Sequence, residues 1–555
     1  MDTTNKNSPA SCLNGATTHL PAEVHLTHHV LEAAARQAGQ QCALSFGDWQ
    51  VSYSELEQLA NRAACGLQQL GAGPGSHIGL LLSNSPHYMI AFFGILKIGG
   101  TVVNYSPLDA ERVICHKAND SKTDILITLD DPQLYARGRT ALDNSGVRHL
   151  VVGAVSDRHG QLADEQNPRP SPELSWHALL HNDGQYRQPA WPEGADSPAV
   201  IQYTGGTTGT PKGAVLTHRN LVSACTQLLS VLVHSEPAVL QYQRERVLVT
   251  LPLFHIYALT ASMLLPIALR AHMRLLQRFD PAEVLDAIEQ EQVSVFSGVP
   301  TMFTALAGHP DIAQRSLRSL RYCGSGGAPL PLEVAQRFQE LTGCAISEGW
   351  GMTETSPTGT FTPVYGPRRA GSCGRPLPGI DIRFLDEKGF VPFGEIGELC
   401  IRGPNVMKGY WNNPEATREA FLPDGYFRTG DVGYMDEDGF VFIIDRSKDM
   451  LLCGGYNVYP RIIEEAIQEH PDVREVCVIG ITDAYRGQTP KAFISLKTGA
   501  KPLTLSELQT FLKTRVGKHE NIGALSILDD LPKTPVGKLS KITLQQQEQK
   551  SSEPG

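Results

Sequence analysis

The sequence is informative first for what it lacks. It has no Cys-x-x-Cys pair: its 11 cysteines are scattered singly from Cys12 to Cys477. An odd count without paired spacing excludes a disulfide framework and a zinc ribbon, and leaves thiols acting as small hydrophobes in a reducing compartment. There is no excess of basic charge either, since 48 Lys and Arg stand against 58 Asp and Glu for a net charge of −10. A whole-chain electrostatic footprint for nucleic acid is therefore absent. No apolar run is long: the most lipid-like stretch, 88–96, is far short of the roughly 20 residues a spanning helix needs, and Lys97 closes it. The first 25 residues are polar and lack the apolar core of a signal peptide. These absences predict a cytoplasmic protein with no transmembrane segment and no nucleic-acid partner. Peripheral membrane contact and a homodimer stay open.

What remains is a chain of 555 residues, 41% hydrophobic and 19% charged, long enough for more than one folded unit. Its 52 glycines and 37 prolines favour many short strands and tight turns over a helical bundle. Ser54-Glu55-Leu56-Glu57 reads as a capping box. It opens a helix with Leu56, Leu59, Ala60, Ala63, Leu67 and Leu70 at helical spacing, stopped by the glycines of 71–75. A strand at 78–82, a helix at 86–98 and a strand at 101–104 form a βαβ unit. The alternation returns with a helix at 281–291, a strand at 293–296 and a second helix after a turn. Between 155 and 197 the polar, Pro-rich sequence predicts a surface excursion.

From about 370 the texture changes to short β-like runs at 382–385, 398–402 and 440–444, punctuated by glycine. A compact α/β pattern begins near Lys448. It has a helix at 460–469, strands at 476–479 and 491–496, a helix at 506–515, and a polar tail ending QQQEQKSSEPG. The expected fold class is α/β. A large N-terminal domain of βαβ-type subdomains carries a β-rich subdomain, and a small, mobile α+β C-terminal domain follows. The expected boundaries are a polar segment at 1–25, domains at 26–446 and 447–541, and a polar tail at 542–555.

Residues 202–220 read QYTGGTTGTPKGAVLTHRN. Thr204, Gly205, Gly206, Thr207, Thr208 and Gly209 pack three glycines and three threonines together. Glycines let backbone approach an anion closely, and hydroxyls with amide N–H groups supply donors. Lys212 adds a point charge for phosphate. A Walker loop needs Gly-Lys-Ser/Thr, but Pro211 precedes this lysine and Gly213 follows it. The continuation also reads as extended rather than helical. An ordinary Gly/Thr turn would account for a lone GTTG but poorly for the full string.

At this string the chain resembles the adenylate-forming superfamily of acyl-CoA synthetases, peptide-synthetase adenylation domains and luciferase. The resemblance runs over nearly the whole chain after residue 30 through several ordered motifs, and is nearest to bacterial medium- and long-chain acyl-CoA synthetases. Gly205 stands where serine is commonest in that family. The segment 251–257 (LPLFHIY) resembles the one whose aromatic or histidine residue gates the acid site, which offers His255; a histidine on an apolar stretch is, alone, commonly a core residue. Gly326, Gly327 and Ala328 look like the loop against adenine and the acid tunnel, and a plain strand-to-helix turn would need the same small residues.

Gly349-Trp350-Gly351-Met352-Thr353-Glu354 is more pointed. Trp350 between glycines offers a flat face for a purine, and Glu354 is a hard oxygen ligand suited to Mg²⁺. The resemblance places Trp350, Gly351, Met352 and Thr353 at the nucleotide, with Mg²⁺ near Glu354 and Thr204. An ionised Asp431, after the turn of 426–431, suits the vicinal hydroxyls of a ribose. By resemblance Arg446 helps hold that ribose, Lys448 is the pivot of a domain hinge that also touches the nucleotide, and Gly454, Gly455 and Tyr456 line the pantetheine channel. Near the C-terminus, Lys538 matches the lysine that reaches the active site for the first half-reaction. A carboxylate must approach the α-phosphate of ATP, and a cation aimed at that developing charge counts most in a dry site. After Lys538 the chain reads Leu-Ser-Lys, where many relatives carry further arginines.

The resemblance implies an ATP-dependent, Mg²⁺-requiring acid–CoA ligase. A carboxylic acid and ATP give an acyl-adenylate and pyrophosphate; the thiol of coenzyme A then displaces AMP to form the thioester. A medium- or long-chain fatty acid is the first choice of acid, with a dicarboxylic or aryl acid behind it. Apolar segments at 259–265 and 296–303 fit either a tunnel lining or plain core. Two readings from other classes remain: a module loading a separate acyl carrier protein, and a binding protein that kept the fold without the chemistry.

Overall fold

The computed structural model describes residues 20–21, 23–156, 171–204, 211–453, 456–483, 486–534 and 537–552. They divide into two compact units. The first takes in the residues up to 368 together with 376–381 and 402–421, and the second comprises 369–375, 382–401 and those from 422 on.

The first unit is built on two sheets. In one, Thr101–Asn104 lies between Pro198–Thr204 and His77–Leu80, and Thr123–Leu129, His149–Gly153 and Glu173–Ser175 extend the sheet outward, all in parallel. On the other edge Lys212–Thr217 and Gly409–Tyr410 add antiparallel strands. The second sheet runs in the order Ile346–Glu348, Tyr322–Ser325, Val295–Gly298, Arg246–Val249, His272–Leu275 and Cys42–Phe46. Its strands are parallel until Trp49–Ser52 closes the edge as a hairpin. Parallel strands joined by helices bury both faces of a sheet, which is why these strands read as continuous apolar runs.

The apolar stretch after Ser85 is core. Helix Pro86–Lys97 has all 12 residues buried, and an added Cβ at Gly94 would come within 2.7 Å of the Ala63 side chain, so it packs closely on helix Tyr53–Gln69. Lys97 is 1% exposed, its Nζ held 2.8 Å from Glu32 and 2.7 Å from Glu57. That pairing corrects the expected capping box. The helix starts two residues earlier, with Ser52 as N-cap and Glu55 as its reciprocal partner. Ser-x-x-Glu occurs in both registers; burial of Tyr53 and recruitment of Glu57 by Lys97 select the earlier one. The excursion at 155–197 is likewise not wholly surface, because Trp176, Leu179 and Leu180 of helix Trp176–Leu180 are buried.

The second unit holds a sheet in the order Gly389–Phe390, Asp381–Asp386, Gly397–Arg402, Phe427–Met435 and Val441–Arg446. It also holds a long antiparallel ribbon, Val473–Asp483 against Gly487–Leu496, flanked by the hairpin of Leu451–Cys453 and Tyr456–Val458 and by Ala524–Ile527. Helices Pro460–Gln468 and Leu505–Leu512 bury Ile463, Ile467, Leu508 and Leu512 on that ribbon. The tail expected to be merely polar is helical over Lys541–Ser552, because Leu544 fills a small core with Cys477, Ile479, Phe493 and Leu531. Packing therefore groups the β-rich strands with the C-terminal residues, whereas the boundary at 446–447 marks where the chain is expected to turn.

Candidate functional site

Two constellations emerge, one in each unit. In the first, Thr204 ends its strand opposite Lys212, so the hairpin ladder holds the two ends of the Gly/Thr loop side by side. The Thr204 hydroxyl donates to the Lys212 carbonyl at 3.4 Å. Gly205, Gly206, Thr207, Thr208 and Gly209 lie outside the described residues. The extended continuation expected after the lysine is the strand Lys212–Thr217. Exposed Lys212 places its Nζ 5.2 Å from the centre of the Tyr410 ring, a cation–π contact. The Tyr410 hydroxyl in turn donates to Oε1 of Glu354 at 3.0 Å.

Glu354 is 5% exposed and sits in the single 3₁₀ turn Thr353–Thr355. Its carbonyl accepts from the Met407 N–H at 2.8 Å, so the short segment that pairs Tyr410 with Ala214 also grips the glutamate's backbone. Burial and the neighbouring Glu354 charge both push the Tyr410 phenol above its usual range, so it stays a donor. The stretch before the turn is shaped by backbone contact. Trp350 exchanges bonds with Thr360, its N–H to Oγ1 at 3.0 Å and its carbonyl from the Thr360 N–H at 2.9 Å. A Cβ on Gly351 would lie 1.5 Å from the Pro357 carbonyl oxygen, and one on Gly359 2.4 Å from the Trp350 ring. Only glycines admit this approach, which lays the half-buried indole on bare backbone. Met352 and Thr353 are half-buried beside it.

His255 caps the short turn Ile256–Ala258, its Nδ1 accepting from the Tyr257 N–H at 3.4 Å. Gln202, two residues before Thr204, donates to the Phe254 carbonyl at 3.1 Å and so ties this segment to strand Pro198–Thr204. Gly326 follows strand Tyr322–Ser325 and packs against the Tyr257 ring, with Gly327 and Ala328 exposed after it.

The second constellation rests on register. Asp431 and Arg446 are opposite one another in neighbouring antiparallel strands, and Arg446 Nε lies 3.0 Å from Asp431 Oδ1. The carboxylate is 5% exposed and the guanidinium 43%, so a buried acid is covered by a cation that reaches solvent. Lys538 joins them from the far end of the chain. Burial and the Arg446 charge, offset in part by Asp431, bring its ammonium down to about 8. Lys448 is exposed in the turn that follows the Arg446 strand. Tyr456 is 61% exposed with its ring 5.1 Å from that of His519, whereas Gly454 and Gly455 lie outside the described residues.

Sequence reasoning found the ends of each chain of contacts and missed the middle of one. Tyr410 was not singled out, although Gly-Tyr-Trp in an otherwise polar stretch was available as a signal. Chemically, the first constellation offers a cation and a buried carboxylate linked through Tyr410, with an indole four residues before the carboxylate, a set suited to a triphosphate with a base. Among the described residues no three His, Cys, Asp or Glu side chains cluster as a metal cage. A lone buried carboxylate fits Mg²⁺, which keeps waters and takes most of its remaining ligands from substrate phosphates.

Comparison with known proteins agrees with this chemistry. The family model for AMP-binding enzymes matches residues 31–411, and that for the AMP-binding enzyme C-terminal domain matches residues 462–538. The long-chain-fatty-acid–CoA ligase of Bacillus subtilis (strain 168) is 36% identical over 549 residues, covering 95% of this chain and 96% of its own. A feruloyl-CoA synthase of an Amycolatopsis species is 35% identical over 510 residues, covering 91% and 96%. The crystal structure of ATP-bound MatB from Rhodopseudomonas palustris superposes with a TM-score of 0.83 at 28% identity, covering 95% of this chain and 100% of that one.

Proposed function

The chain belongs to the AMP-binding enzyme family, and from that membership we propose that this acid–CoA ligase acts on a medium- or long-chain fatty acid. It is an AMP-forming enzyme with ATP and coenzyme A as co-substrates. The observation that supports the residue assignment is the 3.0 Å pair of Asp431 and Arg446, with Lys538 in the same compact unit and in the field of both charges.

In the first half-reaction the acid's carboxylate oxygen attacks the α-phosphate, the P–O bond to the β-phosphate breaks, and pyrophosphate leaves. Thr204, Lys212 and the loop 205–209 cradle the phosphates, and Lys538 neutralises charge developing between two anions that repel each other. Asp431 accepts from the ribose hydroxyls, with Arg446 at the same edge and Lys448 in contact with the nucleotide. Trp350, Gly351, Met352, Thr353, Gly326, Gly327 and Ala328 form the bed for adenine. Glu354, backed by Tyr410, would hold Mg²⁺, whose charge offsets that of the phosphates. His255 stands at the acid's end of the site.

In the second half-reaction the thiol sulfur of coenzyme A attacks the acyl carbonyl carbon, loses its proton, and AMP departs. Gly454, Gly455 and Tyr456 line the path of the thiol arm. The boundary at 446–447 and a pivot at Lys448 belong to the same reading: one small domain presents Lys538 first and Tyr456 second. Lys448→Pro then loses thioester formation; thioester formed at the normal rate by this variant rejects the alternation. A cytoplasmic location is part of the proposal. It is supported by the lack of a disulfide among the ten described cysteines, and by the lack, among the described residues, of a helix long and apolar enough to cross a membrane.

The deciding experiment is AMP release with Mg-ATP and coenzyme A across monocarboxylates from butyrate to stearate, dicarboxylates and aryl acids. An optimum among the longer alkyl acids supports the reading. An aryl optimum assigns the chain to the chemistry of its feruloyl-CoA relative. Exchange of pyrophosphate without turnover of coenzyme A points to a carrier protein as acceptor.

A further inference from the structure

Lys538 sits on a tight hairpin of the second unit. Lys533 bridges Leu539, the Thr534 N–H donates to the Lys538 carbonyl at 2.6 Å, the Gly537 N–H to the Thr534 carbonyl at 2.9 Å, and the Ser540 N–H to the Pro532 carbonyl at 2.8 Å. Such a hairpin fixes its own shape and says nothing of where it points. Its aim is set by what pins its two ends. At one end Lys533 pairs with Glu475 at 2.7 Å, but the lysine is 36% exposed and a solvated pair of this kind is worth little. At the other end Lys541, the first residue of helix Lys541–Ser552, pairs with Glu464 at 3.3 Å, both side chains about one-fifth exposed.

Glu464 is no ordinary surface partner. Its Oε1 also accepts the Val478 N–H at 2.7 Å, which locks helix Pro460–Gln468 to the central ribbon. The Asp445 carboxylate is close by and caps the same helix. One oxygen accepts the Arg461 N–H at 2.9 Å, where the helix lacks any side-chain cap of its own, and the other accepts the Arg446 N–H at 2.7 Å. The Lys541 ammonium is held well above its usual range by the Glu464 and Asp445 charges together. It is therefore the ion-pair partner of Glu464 and lies in the field of Asp445, whose carboxylate is bonded to the backbone of Arg446. Removing it leaves two acids repelling each other beneath the hairpin.

From this geometry we propose that Lys541 is a positioning residue for the first half-reaction: paired with Glu464, which is itself tied to the central ribbon through the Val478 N–H, it holds the hairpin that carries Lys538 toward the Asp431–Arg446 pair. The proposal rests on the ligase reading for its consequence, though not for its geometry.

The test uses the full-length chain and two variants, Lys541→Met and Glu464→Gln, with Lys541→Arg as the conservative control. Competitive acetylation of lysines, read by mass spectrometry as a function of pH, reports the titration of Lys538 without needing turnover. The wild type should label Lys538 as an amine titrating near 8, and both variants should move it toward the ordinary lysine range of about 10. Pyrophosphate exchange should fall about 10- to 100-fold through kcat with the KM for ATP nearly unchanged, as expected for a misplaced group. Thioester formation from synthetic acyl-adenylate and coenzyme A should persist, and Lys541→Arg should restore exchange. An unmoved Lys538 titration overturns the proposal, as does an equal fall in both half-reactions, which is what mere structural damage gives. If the wild type exchanges pyrophosphate with no acid, the ligase reading fails, and the labelling alone decides whether Lys541 positions Lys538.

Discussion

The Tyr410 hydroxyl donates a 3.0 Å hydrogen bond to Oε1 of Glu354 while its ring faces the Lys212 ammonium at 5.2 Å. One side chain thus connects a buried carboxylate to the exposed cation at the start of strand Lys212–Thr217. A bond from a neutral donor to an ionised acceptor is worth about 1.5–3 kcal/mol. Tyr410→Phe should accordingly lower stability by about 1–2 kcal/mol in urea titration and raise the Mg²⁺ concentration needed for half-maximal pyrophosphate exchange. Glu354→Gln keeps the shape and removes the charge. Exchange in this variant should drop about 100-fold or more, and an activity within a few-fold of wild type would dismiss Glu354 as the metal-holding residue.

A second expectation concerns stability alone. Lys97 is 1% exposed between Glu32 of helix Thr27–Ala38 and Glu57 of helix Tyr53–Gln69, so Lys97→Met leaves two carboxylates facing each other without their shared cation. Breaking such a pair from one side costs about 3 kcal/mol or somewhat more, readable as a lower urea midpoint at unchanged m-value. The KM for ATP in the surviving folded fraction should not change, because none of these residues belongs to the site.

The titration of Lys538 gives a pH profile. If its ammonium serves adenylate formation as proposed, kcat/KM for that step should be flat below pH 7 and fall as pH rises through about 8. Arg446 contributes a like charge that lowers the value, and Asp431 an opposite one that raises it. Arg446→Gln therefore moves the alkaline limb to higher pH, even as it weakens ribose binding. A limb that stays in place, or moves down, would mean another group limits the reaction.

How far the sequence disclosed all this follows the range of the interactions involved. Helix Pro86–Lys97 and strand Thr101–Asn104 lie within a residue or so of their expected places, because Pro at the helix start, Gly99 and Gly100 after it and the apolar run are local. The capping box went to the wrong serine because both registers satisfy the local rule, and the choice depends on Lys97, forty residues away. Among the candidate site residues, Glu354, Asp431, Arg446 and Lys538 are legible as motif members. That Asp431 and Arg446 pair was nearly legible too, since they belong to adjacent strands of one hairpin. Tyr410 was not, because it meets Glu354 only through the pairing of Gly409 and Tyr410 with Val215 and Ala214, a contact across almost two hundred residues. The helical tail was hidden for a related reason: a single buried leucine, Leu544, carries its packing.

The last prediction sets function against stability at one residue. A lysine whose folded-state pKa is below its unfolded value binds its proton more weakly when folded, so at neutral pH the charged Lys538 opposes folding, and stability rises as pH climbs from about 8 toward the ordinary lysine value. Lys538→Met removes that penalty along with the cation. It should raise the stability of the enzyme by about 1–3 kcal/mol at pH 7, with a gain that shrinks as pH increases, while pyrophosphate exchange falls about 100-fold or more. Thermal melts at neutral and alkaline pH read the first effect and exchange assays the second. A variant that is inactive and no more stable than wild type at pH 7 would show that the ammonium is not held in the dry, like-charged setting described here, since a well-solvated lysine can be lost without any gain in stability.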